Sequence, residues 1–193
     1  LAPASGNPRN SEGAFYRLKS GALRMYYSRF QGDSSEDEAY ATIAYVETAD
    51  EGETWCAPVT VFTAKELNAV NIMSVSMMEM QNGDAGLYFL IRRADGDLRL
   101  VLYRSDDDCA TWRGPVCCIP EPGYFVVNND RVLRLSTGRL LVPAALHAGV
   151  AETDPPSFTE YAVDRFSYSD DDGVTWHMSP ATVSLRARIY TSG

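Results

Sequence analysis

Arg9 and Arg29 are the residues of this chain whose type and placement most suggest chemistry. Each guanidinium is a planar fork that makes two parallel charge-assisted hydrogen bonds to a carboxylate. The chain has 193 residues and a net charge of −9. Two arginines converging on one pocket would reverse that field locally, as an anionic ligand requires. Close behind Arg29 comes the acidic stretch Phe30-Gln31-Gly32-Asp33-Ser34-Ser35-Glu36-Asp37-Glu38-Ala39-Tyr40. One carboxyl from it could reach a ligand held by Arg9 and Arg29. A carboxylic acid partly buried at a pocket rim keeps its proton and can give it to a leaving-group oxygen. Read without function, the same stretch is a solvated loop.

What positions these groups is written in a repeat. Thr48-Ala49-Asp50-Glu51-Gly52-Glu53-Thr54-Trp55, Ser105-Asp106-Asp107-Asp108-Cys109-Ala110-Thr111-Trp112 and Ser169-Asp170-Asp171-Asp172-Gly173-Val174-Thr175-Trp176 share the pattern Ser/Thr-x-Asp-x-Gly-x-Thr-Trp, with Cys109 in place of one glycine. The tryptophans lie 57 residues apart (55 to 112) and then 64 apart (112 to 176). A second signal keeps step: Gly21, Gly83 and Gly138 sit in hairpin turns between apolar runs. Repeats of about 40 to 50 residues made of four strands are the mark of a β-propeller. These units are somewhat longer, leaving room for substantial loops.

Each unit reads as four strands. The first runs over Ala14 to Leu18, Met73 to Met80 and a broken Tyr124 to Leu135; the second over Ala22 to Tyr27, Gly86 to Ile91 and Leu140 to Leu146. The third covers Ala41 to Glu47, Leu98 to Tyr103 and Asp164 to Tyr168, and the fourth Pro58 to Phe62, Pro115 to Ile119 and Ala181 to Leu185. Val, Ile, Tyr and Phe are common in these runs, and no long stretch has a helical period. The methionines of Val70 to Met80 would also suit a helix. The boxes read as structural: Asp and Ser/Thr bond within a tight turn, glycine supplies a positive φ, and Trp plugs the seam between sheets. A calcium loop would need EF-hand spacing and a later bidentate Glu. Cys109 in a left-handed position costs on the order of 1 kcal/mol, so that turn is expected to differ.

In a propeller the first strands line the axis, and their starts open on the same face as the ends of the second strands. Nine residues before each hairpin glycine lie Glu12, Ser74 and Asn129; nine after lie Phe30, Arg92 and His147, with Arg29 and Arg93 adjacent. Polar groups therefore converge on one axial face, the default place for a binding site. Asp130 and Arg131 join this cluster, unless they form only a structural ion pair. His147 at a strand end also suits a plain hydrogen-bonded role.

Composition narrows the function. An acidic surface repels phosphate backbones, so nucleic acid is not expected as a partner. No apolar run reaches about 18 residues, so no membrane-spanning helix is expected. Cys56, Cys109, Cys117 and Cys118 lack metal-ligand spacing, and His147 and His177 are not near them. They read as small apolar side chains rather than disulfides, and neither metal nor cofactor is expected. Three blades make an open arc, so residues 1–193 are expected to form part of a larger propeller, its C-terminal blades lying outside this sequence.

The triple box resembles the Asp boxes of sialidases (neuraminidases). Pro8-Arg9-Asn10-Ser11-Glu12-Gly13, Leu18-Lys19-Ser20-Gly21, Tyr27-Ser28-Arg29-Phe30, Tyr124 to Arg131 and Gly138 to Ala144 look like the bacterial BNR-repeat sialidase-like group, over essentially the whole chain. The resemblance implies a six-bladed propeller that removes terminal sialic acids from glycoconjugates. Three arginines would grip the sugar carboxylate, an Asp of the first blade's loop would serve as acid/base, and a Tyr activated by a Glu would be the nucleophile. By position Arg9 would match the first arginine and Arg29 the second, although Asn-Ser-Glu follows Arg9 where that group has Ile-Pro. The acid/base would be Asp37 or Asp33. Glu12, Asn129, Asp130, Arg131 and His147 would set position and specificity. The remaining arginine and the Tyr would lie beyond this chain. A non-catalytic propeller that binds glycans or proteins, or a glycosidase for another acidic sugar, are the competing readings.

Overall fold

The computed structural model describes residues 1–147, 150–151, 157–158 and 162–183. Among them it has strands and no helix. The first sheet is β1 (Asn10–Arg17), β2 (Leu23–Phe30), β3 (Ala41–Thr48) and β4 (Val59–Thr63), paired in that order. The second unit is β5 (Asn71–Glu79), β6 (Ala85–Ala94), β7 (Asp97–Ser105) and β8 (Arg113–Cys117). The third begins with β9 (Tyr124–Val126) and β10 (Leu133–Arg134), both paired with β11 (Leu140–His147). After the short pair β12 (Val150–Ala151) and β13 (Ser157–Phe158), it is completed by β14 (Ala162–Ser169) and β15 (His177–Val183). A single parallel contact, Leu98 with Tyr124, joins the second unit to the third. The methionine-rich segment is thus a strand, and the first strand of the third unit is broken as expected. Leu185, the expected end of the last strand, and Tyr190 lie outside the described residues.

The sheets stack face to face. Alternation along β6 sends Leu87, Phe89 and Ile91 into a core shared with Tyr26 and Ile43 of the first sheet. Tyr88 and Leu90 enter a second core with Phe125, Leu140, Val142 and Trp176 of the third. Burial on both faces explains why Gly86 to Ile91 reads as an unbroken apolar run. The box tryptophans seal the seams. Trp112 meets Tyr26 edge-on at 6.1 Å, and Trp176 meets Tyr88 at 6.5 Å, each contacting the preceding sheet. Trp55 meets no other described sheet and is 41% exposed.

The three boxes share one hydrogen-bond pattern. The Thr54, Thr111 and Thr175 hydroxyls each donate at 2.6 Å to the box carboxylate of Asp50, Asp107 and Asp171. The backbone amides of Gly52, Cys109 and Gly173 donate to Thr48, Ser105 and Ser169 at 2.9, 2.9 and 2.7 Å. Cys109 keeps the turn: its φ of 67° is positive like the 98° and 86° of Gly52 and Gly173, and its side chain is buried in the first core. The next box residue also staples neighbours together. Asp108 accepts from the Lys19 amide at 2.9 Å, and Asp172 from the Gln81 amide at 3.1 Å, each in the hairpin of the preceding sheet. All four cysteines are free; Cys117, the last residue of β8, is exposed, and Cys118, just past it, is buried.

Candidate functional site

Three equivalent strand junctions form one rim. Asn10 pairs with Arg29, Asn71 with Arg92, and Tyr124 with His147. Each first strand turns inward at a residue in the left-handed region: Glu12 (φ 59°), Ser74 (φ 60°) and Asp130 (φ 54°). The pairing register slips around Glu12 and around Ser74, as at a bulge. The third member is therefore Asp130 and not Asn129. The break between β9 and β10 shortens the path to Gly138 by one residue, which counting back from the glycine does not detect.

Arg9 is the best-held cation of the rim. Its guanidinium lies 4.3 Å over the ring of Phe30, which is fully buried and so fixed. Nε donates to Ser11 Oγ at 2.9 Å, and Nη2 reaches Glu12 at 3.5 Å. Nη1 donates to the Ser35 carbonyl at 3.1 Å and forms a close ion pair with the Asp37 carboxylate. Asn71, itself buried, donates from Nδ2 to the Asp37 carbonyl at 2.7 Å. The 31–40 loop is thus tied over the rim at Asp37. Asp33 is exposed and shares none of these ties. The Asp37 side chain is 74% exposed, so the partly buried carboxyl expected from the sequence is not present at either position.

The remaining candidates are laced together through the inner strands. Ser28 donates to Glu12 at 3.2 Å and accepts from the Ser74 amide at 3.0 Å. Asn129 Nδ2 donates to the Gly13 carbonyl at 3.1 Å, the Asp130 amide to the Val75 carbonyl at 3.0 Å, and the Arg131 amide to Ser76 Oγ at 3.2 Å. Glu12 and Asn129 therefore stand near Arg9, joined through the first sheet. The Asp130 and Arg131 side chains are exposed and form no ion pair with each other. His147 packs edge-on against Tyr124 at 6.2 Å. Burial pushes the Tyr124 phenol up, and the Arg92 guanidinium opposes that shift.

Arg29 is at the same rim but not in the same cluster. Along β2, Tyr26, Ser28 and Phe30 face the second sheet, whereas Tyr27 and Arg29 face away from it. The Arg29 Nε is buried there without a hydrogen bond. The expected convergence of Arg9 and Arg29 is therefore not seen within these sheets. Residue types alone did not single out Phe30 as the platform for Arg9, nor Asn71 as the pin of the loop; the repeat register marks both positions. Among the described residues no cluster of His, Cys, Asp and Glu is placed to hold a metal, and no helix is long and apolar enough to cross a membrane.

No family model and no curated protein matches this chain. Solved structures do. The chain is similar to the Hadza microbial sialidase Hz136 (16% identity, TM-score 0.67), covering 90% of this chain and 37% of that one. It is similar to the NanB sialidase of Streptococcus pneumoniae (11% identity, TM-score 0.65), covering 98% and 46%. It is also similar to the Trypanosoma rangeli sialidase in complex with the inhibitor DANA (17% identity, TM-score 0.64), covering 94% and 32%. The chain thus spans less than half the length of these three structures. The likeness establishes the fold: an all-β propeller of the sialidase type, of which this chain carries three blades.

Proposed function

We propose that this chain is the three-blade portion of a six-bladed exo-α-sialidase, a glycoside hydrolase that removes terminal sialic acids from glycoconjugates. The observation that carries the reading is the Arg9 cluster. A guanidinium braced by Phe30 and Ser11 shares its outer edge with an exposed loop carboxylate, Asp37. An exposed ion pair holds its partners weakly, so an incoming sugar carboxylate can take the place of Asp37 on the fork. That exchange leaves the Asp37 carboxyl beside the bound sugar, where it acts as acid/base on the glycosidic oxygen.

Glu12 and Asn129 position the sugar from the inner strands, with Asp130, Arg131 and His147 further along the rim. Arg29 contributes from the face of the first sheet that it shares with Tyr27, away from the second sheet. The nucleophilic Tyr and the remaining arginine come from the blades this chain does not include. The boxes serve the fold as Asp boxes of BNR repeats and take no part in the chemistry. The test is hydrolysis, by the complete propeller, of a sialoside and of an uncharged glycoside with the same fluorogenic leaving group. Release from the sialoside alone is expected. Release only from the uncharged glycoside would remove the carboxylate grip from the account.

A further inference from the structure

A second cationic feature lies beside the rim. Tyr40, Lys65, Asn68, Ala69, Val70 and Arg93 line an open cleft of about 540 Å³, within the range of about 300 to 1,000 Å³ typical of small-ligand sites. Its lining includes sequence neighbours of residues at the rim. Tyr40 closes the loop that carries Asp37, Val70 precedes the Asn71 that pins it, and Arg93 follows Arg92. Most arginines of the described chain are ion-paired, yet Lys65 and Arg93 form no ion pair with any described residue. In a chain of net charge −9, two unneutralised cations in one cleft mark a place for an anion. Tyr40, 37% exposed, offers a ring edge or face to a sugar, and Asn68 stands in a left-handed turn (φ 50°) at the cleft wall.

We propose that this cleft is an accessory subsite for a second anionic group, carboxylate or sulfate, on the glycan whose terminal sugar sits at Arg9. Lys65 and Arg93 bind the anion, and Tyr40 packs on the ring that carries it. The proposal rests on the sialidase-type reading for the identity of the ligand. It makes acidic, multiply charged glycans the better ligands.

The test is calorimetric titration of the complete propeller, carrying Asp37→Ala to suppress turnover, at low salt with 3′-sialyllactose, with disialyllactose and with a sulfated sialyllactose. The expected result is tighter binding of both doubly charged glycans than of 3′-sialyllactose. Lys65→Ala/Arg93→Ala should reduce that preference roughly fivefold to tenfold while leaving 3′-sialyllactose unchanged. A Lys65→Arg variant should keep the preference, and added salt should erode it, since screening acts over about 8 Å at physiological ionic strength. Preference for disialyllactose alone assigns the subsite to carboxylate, and preference for the sulfated glycan alone to sulfate. Equal binding of all three glycans, or a preference that survives the double substitution, overturns the proposal. Failure at the Arg9 site looks different: 3′-sialyllactose would not bind at all, while the doubly charged glycans would still lose affinity in the double variant.

Discussion

At the scale of single residues, hydrogen bonds set the box carboxylates apart from the exposed loop carboxylate of Asp37. The Thr175 hydroxyl and amide hold the Asp171 carboxyl down to about 2, and the Thr54 hydroxyl and amide hold Asp50 down to about 2. Thr111 lowers Asp107 further still. A carboxyl with a depressed folded value stabilises the fold above its ordinary value of 3.8, and that contribution is lost as pH falls through the folded value. Thermal unfolding midpoints should therefore be flat above about pH 5 and fall steeply between about pH 4 and 2. Asp171→Asn should lower the midpoint at neutral pH and make the acid fall shallower. A fall of unchanged steepness in that variant would show that the box carboxylate is not what titrates. Residue-level reading was weakest where direction decides. Arg9 and Arg29 share the rim, but strand alternation turns Arg29 toward Tyr27, and nothing in residue type reveals which face a strand-end arginine takes.

At the scale of elements, the strands were legible because apolar runs between turn residues bury one or both faces. β5 was ambiguous because Met73, Met77 and Met78 lack the β-branching that distinguishes strand from helix. Counting back from Gly138 misses the register of the third inner strand by one residue, because that strand is interrupted between Val126 and Leu133. The cleft beside the rim was invisible. Tyr40, Lys65 and Arg93 belong to a loop, a post-strand turn and a hairpin that meet only when the first two sheets stack. The box tryptophans test that stacking. Trp176 is 7% exposed and fills the seam against Tyr88, so Trp176→Ala should cost about 3 to 5 kcal/mol. Trp55 is 41% exposed, so Trp55→Ala should cost under about 1 kcal/mol in this chain. Urea denaturation midpoints decide it. Equal costs would mean that the tryptophans stabilise their own turns and not the seams.

At the scale of the whole molecule, a repeated scaffold carries one asymmetric feature. The three units repeat the four-strand plan and the box hydrogen bonds, with tryptophan seams and aspartate staples at the second and third boxes; among the described residues only the first ties a long acidic loop back over the rim, through Arg9 and Asn71. The first sheet also leaves Trp55, Tyr27 and Arg29 on a face that no described sheet covers. The proposed function therefore centres on the rim of the first blade, with the repeat supplying rigidity. The most direct measurement is kcat/KM of the complete propeller for a fluorogenic sialoside, with Asp37→Ala and Asp33→Ala beside the unaltered protein. The account predicts a loss of about 10²- to 10⁴-fold for Asp37→Ala, the range for a positioned acid/base, and little change for Asp33→Ala. Turnover that is unaffected by Asp37→Ala but lost in Asp33→Ala would contradict the assignment.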